Sequence, residues 1–468
     1  MRDLAREVTE LDPSPGPSAR SRGPEHASRR VGHVGGTADG ASRLGSTITG
    51  TLAALLGVAV PVAWILGSYL RIDISTVLST SGDDGWCTLG QEGIGVHCWG
   101  DFSAIRFSSF NSTPSGPEAV YPLASRLVRL PFLALSDIAG FQAALITFVV
   151  VSALCVLSPL IWAVRRTPWA AKPVVVTVAG VATAPAIMLL DRGNILALTV
   201  PLMLLALLGL VRDSPWMVAV ATIAASSIKP QLVLIGVGLL ALHHWRAAAV
   251  TFLGSGAVLT APYFVLGDHW YTGLTEWLQA ASRWSANQPL STIWPNNISL
   301  PHVLYLVAHT GPWHSLSVVR GSVDRDYLVA SAAIGAVVVA VIALSGRKLP
   351  RLASGVALLA LACVCSPLTY AYYGVFMLPV FAIVYRYGVE DWPRETRLDR
   401  TMPVLLASAV VLGLSPLIIP LGGSPTASLL PVLSTGAWAI YLGALSVWGF
   451  SRMRMDDSGA QPDTGTEA

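Results

Sequence analysis

The stretch "DRGNILALTVPLMLLALLGL", Asp191 to Leu210, decides the fold class. From Ile195 onward it holds no charged side chain, and as α-helix at ~1.5 Å per residue a run of about 17 residues approaches the ~30 Å of hydrocarbon in a bilayer. Lipid offers no partners to backbone N–H and C=O groups, so a run of this kind crosses as a helix. One such run could equally be the core helix of a soluble enzyme; its recurrence argues for membrane. Apolar runs of similar length return from Ser46 almost to the C-terminus of the 468-residue chain, of which 53% is hydrophobic and only 12% charged. The mean hydropathy, +0.60, is well above that of a soluble domain.

The expected fold is therefore an all-α polytopic membrane protein with about twelve transmembrane helices. Hydropathy places them at 47–70, 139–164, 173–190, 195–211, 216–228, 231–245, 246–266, 326–345, 352–366, 371–386, 401–421 and 426–450. Residues 1–45, rich in Arg, Gly, Ser and Pro, and residues 451–468 carry too little apolar surface for a core. Both are expected to be disordered cytoplasmic tails flanking an integral membrane domain over 46–450. The first apolar segment comes too late and is too long for a signal peptide. A net charge of +3, with no basic aromatic array, gives no footing for nucleic acid; the membrane is the partner.

Orientation follows from Lys and Arg in the short connections. Arg29, Arg30 and Arg43 precede the first span, Arg165, Arg166 and Lys172 follow the second, and Arg246 follows the sixth. Arg347, Lys348 and Arg351 follow the eighth, Arg394, Arg397 and Arg400 the tenth, and Arg452 and Arg454 the last. All fall on one side if the N-terminus is cytoplasmic, which makes this a multi-pass cell-membrane protein with both termini inside. The run "ISLPHVLYLVAHTG" must then stay outside or dip in and return, because a full span there would reverse every later loop. Outside lie two long loops, 71–138 and 267–325, and the turns "LDRGN", "IKPQ" and "SPLTYAYY". Within the first loop, "YPLASRLVRLPFLAL" sets Arg126 and Arg129 at helical spacing among apolar neighbours, the pattern of an interfacial or re-entrant helix.

Asp191, Arg192 and Lys229 interrupt apolar sequence at span ends. Each would cost about 2.5 to 3.5 kcal/mol at mid-bilayer, so they are expected to face a polar cavity or each other. The plain alternatives are an Asp191–Arg192 pair and snorkelling of Lys229 to the outer head groups. Asn194, Gln231 and Asp101, the last in "GVHCWGDFSAIRFSSF", share their side. Cations that stabilise charge on a departing phosphate, with a carboxylate that takes the proton of an attacking hydroxyl, suit transfer from a lipid phosphate. Asp101 is the candidate base, against the bland alternative of a solvated loop acid or helix N-cap. Asp83 and Asp84 are rivals, in the turn-like "TSGDDGW".

Cys87 and Cys98 share this loop and form a candidate disulfide if it faces an oxidising compartment; zinc is the weaker alternative, with only His97 nearby. Cys155, Cys363 and Cys365 fall in apolar runs as buried small hydrophobes. Trp86, Trp99, Trp270, Trp277, Trp284 and Trp294 lie in the outer loops, either as an interfacial belt or as stacking surfaces for sugars.

Four stretches resemble the polytopic C-type glycosyltransferases, and within them glycosyltransferase family 87, mannosyltransferases that use polyprenyl-phosphate-mannose. "WGDFSAIRFSSF" with "AVYPLASRLVRLP" is similar to the family's Asp-bearing first outer loop and its Tyr-Pro segment. "DRGNILALTVPLMLLALLGL" with "ASSIKPQLVLIGVGLLALHHWRAA" is similar to its Gly-polar-Asn and Lys-Pro helices. "SANQPLSTIW" resembles its Asn-Gln-Ser-Leu element, with Pro289 in place of Ser, and "CSPLTYAYYGVFMLP" resembles its Ser-Pro-x-Ser-Trp-x-His-His stretch. In the last, Tyr370, Tyr372 and Tyr373 replace Trp and two His, which leaves donor and acceptor identity open; Tyr still donates a hydrogen bond to phosphate.

The resemblance implies an inverting transfer of a hexose, mannose first, from a polyprenyl phosphate sugar to a glycolipid or cell-envelope glycan at the outer face. It implies Asp101 as base, Arg192, Lys229, Tyr372 and Tyr373 on the donor phosphate, and Asp191, Asn194, Asn287 and Gln288 on substrate. No cofactor is required, and a divalent metal bridging phosphate and acid is left open. The competing function is a transporter or flippase for a lipid-linked sugar, which would normally leave internal repeats and charged mid-membrane helices. No repeat is evident, and the polar residues gather on one side. A non-catalytic membrane scaffold, the third class, leaves Asp101 and Lys229 without a role.

Overall fold

In this chain the helices break where prolines, glycines and charges fall. A computed structural model describes residues 42–70, 121–266, 270–286, 297–310, 323–366, 369–389, 392–415 and 429–459, all within one unit, Gly36–Ala468. Asp101, Asn287, Gln288, Cys87, Cys98, Asp83, Asp84, Trp86, Trp99 and Trp294 lie outside the described residues. Among those described, regular structure is helical, with one isolated β-bridge, Asn297 to Tyr370.

The chain enters through α1 (Arg43–Leu70), then α2 (Leu123–Ala139) and α3 (Phe141–Ala163). α4 (Ala171–Val176) passes through a π turn, Thr177–Val181, into α5 (Ala184–Asp191), bent by 65° at the join. Pro185, in the first turn of α5, suits a new helix start and no helix interior. α6 (Val200–Val211), α7 (Pro215–Ser226) and α8 (Val237–Ala241) follow as short antiparallel pieces, then α9 (Trp245–Leu266), α10 (Trp270–Ala286) and α11 (Leu300–Thr310). The last five are α12 (Val323–Ser345), α13 (Arg351–Val364), α14 (Met377–Tyr387), α15 (Arg397–Gly413) and α16 (Leu429–Gly459).

Five of these helices are long and apolar enough to cross a membrane: Arg43–Val62, Phe141–Arg166, Trp245–Val265, Asp326–Lys348 and Val432–Arg454. The bent pair makes a sixth if taken as one span, and Ile195–Val211, Pro215–Ser226, Pro230–Ala241 and Arg351–Val364 are shorter apolar helices. α7 and the segment after it form a hairpin, packed side by side. α11, 11 residues and about 16 Å long, is shorter than a bilayer crossing needs. α16 runs on to Gly459, past the expected end at 450.

α13 sits at the centre. Every residue from Leu352 to Val364 is buried, as are Met377 to Tyr385 of α14, the mark of helices wrapped on all sides. Large apolar side chains such as Ile146, Leu253, Leu344 and Val447 are instead exposed, on the helices long enough to span. Such an outer surface suits lipid as neighbour.

The polar connections sort to two ends. At one, Arg386 Nη1 donates to Trp162 O (2.7 Å), Arg212 Nη2 to Tyr387 OH (2.6 Å) and Arg347 Nη2 to Leu242 O (3.2 Å). There Asp213 meets His244 (2.8 Å) and Arg351 (3.1 Å), and Arg452 meets Asp399 (2.8 Å) and Glu395 (2.9 Å). This end gathers the described Arg-rich connections that the sequence assigns to one side. The other end holds Asp191, Arg192, Asn194, Lys229 and the Tyr370–Tyr373 run, separated from Arg212 by the length of Ile195–Val211, about 28 Å by helical rise.

Candidate functional site

Three chain breaks build the site, and each has a local cause. Gly193, at φ +63°, turns the chain between α5 and the 3-10 segment Ile195–Thr199, a backbone conformation cheap only for glycine. Arg192 and Asn194 on either side thereby stay at one level. Pro230 disfavours helix at the residue before it, so Lys229 leaves α7 extended (φ −133°, ψ 99°) and opens the 3-10 segment Pro230–Gly236. Tyr370, also extended, opens the 3-10 segment Ala371–Phe376, which carries Tyr372 and Tyr373.

These breaks meet. Arg192 (8% exposed) lies over the rings of Tyr370, 4.9 Å from the centroid, and Tyr372, at 5.7 Å. Lys229 (6% exposed) lies over Tyr121, at 3.9 Å, and Tyr373, at 5.6 Å. The three tyrosines of the late run form a stack, with Tyr370–Tyr372 centroids 5.5 Å apart and Tyr372–Tyr373 5.3 Å. Two cations from separate connections thus share one aromatic stack. A cation over a desolvated ring gains about 2 kcal/mol, which offsets part of the penalty of burying it.

Asn194 ties the cluster together. Its Oδ1 accepts from Leu196 N (2.9 Å), which fixes the amide so that Nδ2 donates to Tyr121 OH (2.9 Å) and Tyr372 OH (3.3 Å). Both amide protons are used. Each of these tyrosine hydroxyls accepts from Asn194, so one amide holds both rings in register. Asp191 is buried beside this group at the end of α5.

Four residues not assigned from sequence join the site. Tyr121, ahead of Pro122, is its hub; Arg129, buried on α2, lies 5.1 Å over the Tyr121 ring; Tyr370 lies under Arg192. The fourth, fully buried Asn297, bridges Tyr370 and accepts at Oδ1 from Thr369 N (3.1 Å) and Ser299 N (3.0 Å), pinning part of the second loop to the tyrosine run. The signal for Arg129 was legible as Arg spaced three apart in an apolar helix. Asn297 had none, since its role is made by a contact 72 residues away along the chain.

Chemically the cluster is a buried set of guanidinium, ammonium and phenol donors, suited to an anion with several oxygens. Among the described residues no group of three or more His, Cys, Asp or Glu is placed to hold a metal ion.

No curated protein and no solved structure matches the chain. The model of glycosyltransferase family 87 matches residues 119–367, which include Tyr121, Arg129, Asp191, Arg192, Asn194, Lys229 and Asn297 and stop just short of the tyrosine run. With more than half its length in that match and its helices apolar enough for a bilayer, the chain belongs to glycosyltransferase family 87, a family of membrane glycosyltransferases.

Proposed function

We propose that this membrane glycosyltransferase moves a hexose, mannose in the first instance, from a polyprenyl phosphate sugar to a glycolipid or cell-envelope glycan, with inversion at the anomeric carbon. Asp101 takes the proton of the acceptor hydroxyl as its oxygen attacks that carbon. The bond from the anomeric carbon to the phosphate oxygen breaks, and the phosphate leaves with the electron pair. Arg192 and Lys229 stabilise the charge that grows on it, and Tyr372 and Tyr373 donate to its oxygens. Asp191, Asn287 and Gln288 meet the substrate, while Asn194 aims the tyrosine hydroxyls. The Arg-rich end faces the cytoplasm, the cluster faces outward, and about twelve spans connect them.

One observation carries this: Arg192 and Lys229, 37 positions apart in sequence, converge on the same buried tyrosine stack. Cationic groups aimed where charge develops are what a phosphate leaving group requires.

The test incubates membranes containing the protein with radiolabelled polyprenyl-phosphate-mannose and glycolipid acceptors. Label moves to acceptor, and Asp101→Asn slows transfer about 10²- to 10⁴-fold. Transfer by Asp101→Asn at the parent rate removes Asp101 as base. Flux of lipid-linked sugar across vesicles, with no transfer from any polyprenyl phosphate sugar, replaces the reaction with transport.

A further inference from the structure

A second gathering of positive charge lies at the opposite end of the bundle, where α3, α6 and α14 pack together and all three stop. Each ends on arginine: Arg165 and Arg166 in the 3-10 turn after α3, Arg212 at the cap of α6, and Arg386 in the last turn of α14. Two of these are fixed in place. Arg386 Nη1 donates to Trp162 O (2.7 Å), and its guanidinium lies 4.7 Å over the Trp162 ring. Arg212 Nη2 donates to Tyr387 OH (2.6 Å), whose ring centroid stands 5.9 Å from that of Trp162. Arg165 and Arg166 are exposed, and with Arg212 they lie within electrostatic reach of Arg386.

Part of this charge has a plain structural role. A helix C-terminus carries about half a negative charge, so three ends offset roughly one and a half of the four positive charges. The protein does not balance the rest. Among the described residues no carboxylate forms an ion pair with any of the four arginines, and the acids of this end are engaged by other cations: Asp213 by His244 and Arg351, Asp399 and Glu395 by Arg452. Each fixed guanidinium spends one of its five N–H donors in the bonds above, which leaves donors for a ligand with several oxygens.

The surroundings select the kind of anion. Ile161 is exposed on a helix long enough to cross a membrane, Val174 is exposed on α4, and between them Trp169, three residues past Arg166, is 83% exposed. Arginines placed where such an apolar surface ends, beside an exposed tryptophan, stand at the level of lipid head groups. Guanidinium forks pair with phosphate oxygens, and the uncompensated charge favours a headgroup with net negative charge over a zwitterion. A soluble anion meets only the charges, whereas a phospholipid meets the charges and the apolar surface together.

We propose that Arg165, Arg166, Arg212 and Arg386 form a site for the phosphate of an anionic phospholipid in the leaflet at the Arg-rich end, with its acyl chains along Ile161 and Val174. The site is separate from the tyrosine cluster and does not depend on the sugar-transfer reading. The lipid ties together the ends of three helices. Two of them, α6 and α14, continue from the 3-10 segments that begin after Asn194 and Tyr370, so the lipid braces from the far side the helices that carry the cluster.

The experiment immobilises the full chain in detergent micelles and measures its retention of radiolabelled phosphatidylglycerol. At roughly fivefold in affinity per basic residue, Arg165→Gln with Arg166→Gln weakens retention about 25-fold, and Arg165→Lys with Arg166→Lys keeps most of it. Arg166→Gln alone, expected to weaken retention about fivefold, decides the matter if the pair folds poorly. Arg397→Gln with Arg400→Gln removes two exposed charges from the same end and leaves retention within about twofold of the parent. Phosphatidylcholine and inorganic phosphate compete weakly. Phosphatidylglycerol also raises the unfolding temperature of the parent and of the lysine pair, but not of the Arg165/Arg166 glutamine pair. Retention indifferent to Arg165 and Arg166 overturns the proposal. So does an equal loss in both glutamine pairs, which reduces the effect to diffuse surface charge, and so does full displacement by inorganic phosphate, which makes the ligand a soluble anion.

Discussion

Replacing Lys229 with methionine separates a catalytic cation from a structural brace. Methionine has nearly the length of lysine and no charge, so it fills the space between Tyr121 and Tyr373 without the ammonium. Two contacts are lost, over Tyr121 at 3.9 Å and over Tyr373 at 5.6 Å. At about 2 kcal/mol for the closer one and less for the other, they sum to roughly 3 kcal/mol of lost attraction. Against this, the substitution removes a cation that is 6% exposed, whose desolvation penalty is several kcal/mol. Stability is therefore expected to stay level or rise. Activity moves the other way: losing one positioned donor to a leaving phosphate costs about 2.7 to 4 kcal/mol of transition-state stabilisation, a fall of 10²- to 10³-fold in kcat. The assay pairs initial rates of label transfer from polyprenyl-phosphate-mannose with thermal unfolding of the same preparation. A Lys229→Met protein that unfolds well below the parent yet keeps its kcat would refute this account and leave Lys229 as a brace for the tyrosines.

Asn194→Leu keeps the volume and removes the amide, leaving Tyr121 and Tyr372 without their shared donor; a stability loss of about 1–3 kcal/mol and a raised donor KM are expected from thermal unfolding and kinetics. Asp399→Asn tests the opposite end. Its carboxylate accepts from Arg452 at both oxygens (2.8 Å each), Trp448 Nε1 (2.6 Å) and Thr396 N (2.7 Å), so the neutral amide leaves a guanidinium poorly compensated and costs about 3–5 kcal/mol, while turnover per folded molecule is unchanged. Asp213 predicts a pH effect: burial raises its carboxyl, but hydrogen bonds and charge from His244 and Arg351 outweigh that and hold it below the ordinary carboxylate range. A depressed acid contributes stability above its unfolded value, about 3.9, that is lost as pH falls through the folded one; Asp213→Asn should lower stability at pH 7, flatten the curve below about pH 4 and converge with the parent in acid.

The helical membrane fold and the Lys-Pro break were legible because their causes are local, whereas the bend within the third span, expected as one continuous run over 173–190, was not read from sequence. An uncharged run such as Ile195–Val211 has few alternatives in a bilayer, and Pro230 marks a break within a few residues of where it occurs. The clustering of Arg192 with Lys229 was legible more weakly, through the side assigned to each loop by the Arg-rich connections opposite. Tyr121 as hub and Asn297 as anchor were not legible. Each depends on a partner 72 or more positions away, Asn194 for Tyr121 and Thr369 for Asn297, and no local pattern in "AVYPLAS" or "PNNISL" distinguishes a tyrosine that receives Asn194 from one at a membrane interface.

The three breaks share one device, and the bilayer explains why. Asn194, Lys229 and Tyr370 each precede a 3-10 segment that starts the return toward the Arg-rich end. A 3-10 turn rises about 2.0 Å per residue against 1.5 Å for α-helix, so the same residues reach further across the membrane. That extra reach lets the chain stop short of a full span, keep a polar residue buried, and still return in as few as 12 residues for Pro230–Ala241. A straight α-helical hairpin of ordinary length would carry the same side chains out to the head groups, where water would screen them. Held away from water, Arg192 and Lys229 would, in the proposed reaction, act on a phosphate in a medium of low dielectric, where each charge counts for more. Replacing Pro230 by alanine attacks the device itself: with the bar to helix lifted at Lys229, α7 can extend through it, and the ammonium rotates off the Tyr121 ring. Lost transfer activity with helix content intact by circular dichroism is the expected result, and full activity in that variant would show that the break is incidental to the chemistry.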